Sequence, residues 1–151
     1  MNNTKIEKVE EMPVFQRFYE LAVEIERATR NFGPDFRWLR VQALRSSESV
    51  CANMAEGFYS QYSTEYVQAL HRCRREGRET IVHLRYACDT GNLSVAHLGV
   101  LEEMGKDALQ HLAAVITSIE RKIGERSKGK PAAPPVRDDF GVYLPSMPHL
   151  P

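Results

Sequence analysis

The sequence predicts an all-α protein, an up-down-up-down four-helix bundle with an extended Pro-rich C-terminal tail. Three observations carry this. Apolar residues recur at spacings of three and four in four separate segments; no segment alternates with the two-residue period of a strand; and residues 125–151 hold six of the eight prolines. A chain of 151 residues can bury one core without disulfide staples. The expected division is an N-terminal acidic segment at 1–12, the bundle at 13–124 and the tail at 125–151.

The first helix begins at Pro13, where proline is tolerated, and its stripe of Val14, Phe18, Leu21, Ala22, Ile25 and Phe32 runs until Gly33 and Pro34 stop it. A second helix is predicted from about Phe36 to Glu56. Leu39, Ala43, Ser46, Val50 and Met54 form its core face, and Gly57 is expected to terminate it. Ser63 is the predicted N-cap of the third, whose stripe is Tyr66, Leu70, Cys73, Gly77, Ile81, Leu84 and Cys88. "TGN" at 90–92 ends it. Ser94 caps the fourth, with Leu98, Leu101, Leu109, Leu112, Ile116, Ile119 and Ile123 along one face.

The formal net charge is zero, so composition alone points to neither nucleic acid nor membrane. Distribution says more. Of the 20 basic residues 14 are Arg, and ten of these lie from Arg27 to Arg85 against six acids in the same span. The planar guanidinium suits bidentate contact with phosphate or carboxylate. The three cysteines, Cys51, Cys73 and Cys88, form no paired motif, and no apolar run is long enough to span a bilayer. The expectation is a reduced, cytoplasmic protein with small buried thiols and no membrane association.

No enzymatic constellation is evident. None of the five histidines has Glu three residues before it, the pairing a carboxylate-bridged metal site in a bundle requires. Glu79 and His83 stand four apart on one helix face and are expected to form a surface hydrogen bond. There is no nucleophile elbow and no phosphate loop. No catalytic residue, metal or cofactor is assigned.

The third helix has polarised flanks. On a helical wheel His71, Arg74, Arg75, Arg78 and Arg85 fall together beside the core arc, and Glu65, Glu76, Glu79 and His83 gather opposite. Such a helix can dock beside a copy of itself in a ring, or present a basic stripe to phosphates. A third reading is a solvated face with intrahelical pairs, Arg72 to Glu76 and Arg75 to Glu79. In the second helix Cys51, Ala52 and Ala55 lie off the core stripe, where small residues let another helix approach.

Two polar residues at the end of the second helix stand out. Asn53 interrupts an apolar stripe, and Glu56 places negative charge in the last turn, against the macrodipole. They belong to "RVQALRSSESVCANMAEGF", which with the following "STEYVQALHRCRREGRETIVHLRYACDTGNL" resembles the four-helix-bundle family of proteins encoded by intervening sequences of bacterial ribosomal RNA genes. Ser49, Asn53, Met54, Ala55, Glu56, Gly57, Tyr66, Leu70 and Glu79 carry the match, over roughly residues 15–123. Arg75 and Glu76 stand where members usually have a small Gly-Ser pair. The accessory variability proteins of diversity-generating retroelements are similar in architecture. That resemblance implies a homopentamer that binds nucleic acid and a reverse transcriptase through basic surfaces.

Two functions follow as expectations. The leading one is a nonenzymatic, nucleic-acid-binding homo-oligomer in which Arg74, Arg75, Arg78 and Arg85 contact phosphates of RNA or DNA, helped by His71 and by Arg40 and Arg45 of the second helix. Too few aromatics stand beside these arginines in the sequence to suggest base stacking. The rival is a protein-only oligomeric scaffold whose tail, through Phe140, Tyr143, Leu144 and Leu150, docks a partner. Asn53, Glu56, Gly57 and Glu79 are read as structural. Asn53 is expected to tie the helix end to the connection at 58–60, and Glu56 to be offset by an arginine of the third helix or of a neighbouring subunit.

Overall fold

The computed structural model describes residues 5–128, together with the backbone of 136–137 and 143–144. Four helices dominate it: α1 (Pro13–Thr29), α2 (Arg37–Phe58), α3 (Ser63–Asp89) and α4 (Val95–Lys128). Each packs on its sequence neighbours, and α1 closes the bundle against α4. The directions follow from paired residues. Arg45 meets Glu79 and Asn53 meets Arg72, so α2 and α3 are antiparallel; Arg85 meets Glu102 and His71 meets Glu120, so α3 and α4 are too.

The core is the one the apolar spacing marks out. Leu39, Ala43, Ser46, Val50 and Met54 of α2 are all buried, as are Leu70, Cys73, Gly77 and Leu84 of α3 and Leu101, Leu112, Ile116 and Ile123 of α4. Ser46 is tolerated there because Thr80 Oγ1 donates to its hydroxyl across the α2–α3 seam at 2.8 Å, which removes the cost of burying an unpaired polar group. The small residues on this seam bring the two backbones close. A methyl at Gly57 would stand 2.5 Å from Ala69 Cβ and 3.3 Å from the Tyr66 ring.

Several element ends differ from expectation. Gly57 does not terminate α2: the helix continues through Phe58, and glycine is needed there for close approach to α3. The N-cap of α3 is extended Tyr62, so Ser63 is the first helical residue and is buried. Helix α1 stops at Thr29, before Phe32, which still packs against the core. Ser94 caps α4 as expected, its Oγ accepting from the His97 N–H at 3.1 Å. Gly91 ends α3 in the left-handed region at φ 79°, with the Asn92 N–H donating to Ala87 O.

The N-terminal segment is part of the bundle end. A 3-10 turn, Val9–Glu11, buries Val9 and leads into buried Met12, with the Val9 N–H donating to Tyr59 Oη at 3.2 Å. The backbone N–H groups of Glu7 and Lys8 donate to the Glu11 carboxylate and hold its pKa below the usual range. At its C-terminus α4 continues to Lys128, four residues past the expected bundle boundary, with the Ser127 hydroxyl donating to Gly124 O. Val136–Arg137 (β1) pairs antiparallel with Tyr143–Leu144 (β2) alongside α3. The rest of the tail, including Phe140 and Leu150, lies outside the described residues.

Candidate nucleic-acid interface

The seven basic residues singled out on α2 and α3 separate into two groups. Five are engaged within the protomer. Arg40 reaches Glu26 of α1 at 3.3 Å, and Arg45 reaches Glu79 at 2.8 Å and Glu76 at 3.8 Å. His71 Nε2 lies 2.7 Å from Glu120 of α4, while its Nδ1 accepts from Arg74 at 2.8 Å; Arg85 meets Glu102 at 2.7 Å. The guanidinium can only donate, so Nδ1 accepts from Arg74 and Nε2 is the ring nitrogen that faces the Glu120 carboxylate.

The other two are Arg75 and Arg78. Both are exposed, and among the described residues neither makes an ion pair or hydrogen bond. The intrahelical pairs of the solvated-face reading, Arg72 to Glu76 and Arg75 to Glu79, do not form, whereas the expected Glu79–His83 hydrogen bond does. Arg72 instead donates to Asn53 Oδ1 at 3.2 Å, and Glu79 is taken by Arg45 and by His83 at 3.2 Å. Burial pushes the Glu79 carboxyl up in pKa, but the His83 hydrogen bond and the Arg45 charge outweigh it and hold the group below its ordinary value.

Between α3 and α4 runs an open groove of about 820 Å³. Arg78, Arg85, Glu102, Glu103 and Gln110 line it, with Lys106, an exposed cation without a partner among the described residues. The cationic character of Lys106 here was not legible from α3, since only the register between α3 and α4 brings it beside Arg78. A second groove of about 520 Å³ separates α1 from α2, lined by Phe15, Tyr19, Ala22, Val23, Ser47 and Ala52 among others. Of the small residues read as lying off the core stripe, Cys51 is buried, Ala55 half-buried and Ala52 exposed.

Asn53 resolves differently from expectation, and within the protomer no arginine of α3 reaches Glu56. Asn53 Nδ2 donates to Ser49 O at 2.8 Å and to Ser49 Oγ at 3.0 Å, and its Oδ1 accepts from Arg72. The amide therefore links α2 to the third turn of α3 and not to the connection at 58–60 that it was expected to tie. It can do so because an amide offers a donor and an acceptor at once, which suits a helix carbonyl on one side and a guanidinium on the other. Glu56 is exposed, and among the described residues no ion pair reaches it.

Two of the three thiols are buried. Burial pushes the Cys73 thiol up to about 12 and Cys51 up to about 11, and Cys73 Sγ donates to Val50 O. Among the described residues no group of three His, Cys, Asp or Glu could hold a metal ion, and no helix is long and apolar enough to cross a membrane.

With this geometry in place, comparison decides the family. The model of the 23S rRNA-intervening sequence protein family matches residues 10–114. The chain belongs to this family. A crystal structure of a protein of unknown function from the S23 ribosomal protein family of Bacteroides thetaiotaomicron is similar in fold, with a TM-score of 0.63 and 23% identity. The match covers 68% of this chain and 97% of that one. No curated protein matches the sequence. The intervening-sequence protein match begins just before the Met12 turn and ends inside α4, so it takes in the Asn53–Glu56–Gly57 element and the whole of α3.

Proposed function

We propose that this intervening-sequence protein is a nonenzymatic, nucleic-acid-binding homo-oligomer. The observation that carries the reading is the pair of exposed, unpartnered arginines Arg75 and Arg78 on α3, with Lys106 nearby on α4. Three cations without protein carboxylates attract phosphate without first breaking an ion pair. The engaged arginines can add to them, because exposed ion pairs contribute only about 0–1 kcal/mol and exchange a carboxylate for a phosphate at little cost. Binding of this kind is electrostatic and independent of base sequence.

The similarity to retroelement accessory proteins supports a pentamer that assists a reverse transcriptase. The groove between α1 and α2, apolar and floored by Ala22, Ser47 and Ala52, is the face we assign to subunit packing. Repetition round a ring would join the Arg75 and Arg78 pairs of successive copies into one basic surface.

The scaffold reading keeps one observation in its favour: five of the seven basic residues are engaged within the protomer, four by carboxylates and Arg74 by the His71 imidazole. A gel shift across a salt series, run beside light scattering, separates the two. Nucleic-acid binding predicts a shift that weakens steeply with salt and is lost in Arg75→Glu/Arg78→Glu at unchanged oligomer mass. Normal binding by that variant refutes the site; an assembled wild-type protein that shifts no nucleic acid at low salt supports the scaffold.

A further inference from the structure

Trp38 is the only tryptophan in the chain, and it leaves 52% of its surface exposed near the start of α2. It does not stand alone. Tyr86, near the end of α3 and 47% exposed, lies with its ring centroid 5.8 Å away at an interplanar angle of 59°. Val82, 60% exposed, and Val41, 53% exposed, extend the apolar surface. The antiparallel register of α2 and α3 creates the pair, since the two rings are far apart in the sequence and meet only because Arg45 lies opposite Glu79.

The same ridge of α3 carries the free arginines. Arg75, Arg78, Val82 and Tyr86 are spaced by three, four and four, which places them on one helix face. At 1.5 Å per residue, Arg78 stands about 12 Å and Arg75 about 16 Å along the helix from Tyr86. Arg37, exposed and without a partner among the described residues, precedes Trp38 on the other side. Of the nearby acids, Glu79 is held by Arg45 and His83 and Glu102 by Arg85, Glu103 shares the α3–α4 groove with Arg78 and Lys106, and Asp35 and Asp89 lie beyond the rings at the bundle end.

We infer that Trp38 and Tyr86 form a stacking platform for an unpaired base, whose strand continues over Arg78 and Arg75, so that the ligand is single-stranded nucleic acid. This rests on the nucleic-acid reading above and narrows it. A phosphate stripe alone accepts duplex and single strand alike, whereas in a duplex the bases are stacked on one another and present no face to a protein ring. Exposed aromatics beside unpaired arginines supply both halves of single-strand recognition, a π surface for the base and cations for the backbone.

The lone tryptophan makes the test direct. The full chain is titrated with oligouridylate, oligothymidylate and a duplex of equal length, reading Trp38 emission and a gel shift together. The expected result is saturable quenching by the single strands, at the midpoint of the gel shift, and little quenching by the duplex. Trp38→Ala should weaken single-strand binding roughly tenfold and leave duplex binding unchanged, while Trp38→Phe recovers most of the loss. Tyr86→Leu, with circular dichroism to confirm folding, should repeat the pattern, and the ratio of the two single-strand midpoints tells RNA from DNA. Equal binding of duplex and single strand, with Trp38→Ala indistinguishable from wild type, overturns the platform but leaves phosphate binding at Arg75 and Arg78 intact. If no nucleic acid binds and Trp38 emission instead shifts with protein concentration, the patch is a self-association face and both readings fail.

Discussion

Substituting Gly57 by alanine in the family's Asn-x-Ala-Glu-Gly element should destabilise the protein, although glycine to alanine inside a helix ordinarily gains about 1 kcal/mol. The new methyl would stand 2.5 Å from Ala69 Cβ and 3.3 Å from Tyr66 Cδ1, against the roughly 3.5–4.0 Å of a relaxed carbon contact. Ala69 is fully buried and its methyl is fixed to the backbone, so it cannot rotate away. The helices must part by about 1 Å along their tightest seam. Overpacking of this kind costs about 3 kcal/mol at its upper end, leaving a net loss of about 2 kcal/mol after the gain in helix propensity. At about 2–4 °C per kcal/mol for a chain of this size, thermal denaturation followed by circular dichroism should show a drop of roughly 4–8 °C. Gly124 provides the control: it lies in α4 with nothing within 4 Å of its would-be Cβ, so Gly124→Ala should raise the melting temperature. Adding Ala69→Gly to Gly57→Ala should restore much of the loss. If Gly57→Ala stabilises as much as Gly124→Ala does, the close approach of α2 and α3 is refuted.

Other expectations can be checked on the same protein. Asn53→Ala leaves the Arg72 guanidinium without its partner across the α2–α3 seam and should cost about 1–2 kcal/mol in urea denaturation; no change in midpoint would show that the bridge contributes nothing. Glu56→Gln should leave the stability of the protomer within about 0.5 kcal/mol, since Glu56 is exposed and unpaired; a change in oligomer mass without a change in protomer unfolding would place its partner in a neighbouring subunit. The Glu79 carboxyl has a pKa held below its ordinary value, so its contribution is present at neutral pH and is lost as pH falls through the folded value. Wild type should therefore lose more stability than Glu79→Gln between about pH 5 and pH 3, and parallel acid curves would count against the Arg45–Glu79–His83 cluster. A thiol-reactive reagent at neutral pH should label half-buried Cys88 well before Cys73 and Cys51, whose thiols burial holds near 12 and 11; mass spectrometry of early time points gives the order.

Helical periodicity exposed the fold because each stripe is a local property. Leu39 to Met54 and Leu101 to Ile123 could be placed inward from spacing alone, and the structure buries them except Leu109 and Ile119, which are half-buried at the edge of the core. Element ends depend on finer balances. Ser63 offers a good cap side chain, but the chain is already helical at that residue and extended at Tyr62. Gly57 shows the same limit: a glycine near a helix end is usually a stop, and only the position of Ala69 reveals that it is a contact.

The candidate site was legible only in part, for a reason of distance along the chain. Arg40, His71 and Arg85 find their carboxylates at Glu26, Glu120 and Glu102, each on a different helix, so no wheel of α3 can say which arginines remain free. Asn53 finds Arg72 in the same way. The expectation that aromatics were too few beside the arginines came from counting along one helix. Tyr86 was there, but its companion Trp38 arrives from α2, where its neighbours in sequence gave it no such role.

The most direct measurement is the salt dependence of nucleic-acid affinity for wild type and for Arg75→Ala/Arg78→Ala. If these arginines neutralise phosphates of a single strand, the plot of log affinity against log salt for wild type falls steeply. The double variant should be shallower by about 1.4 for each protomer engaged. Coincident slopes, or a wild-type affinity that does not respond to salt, would contradict phosphate recognition by α3.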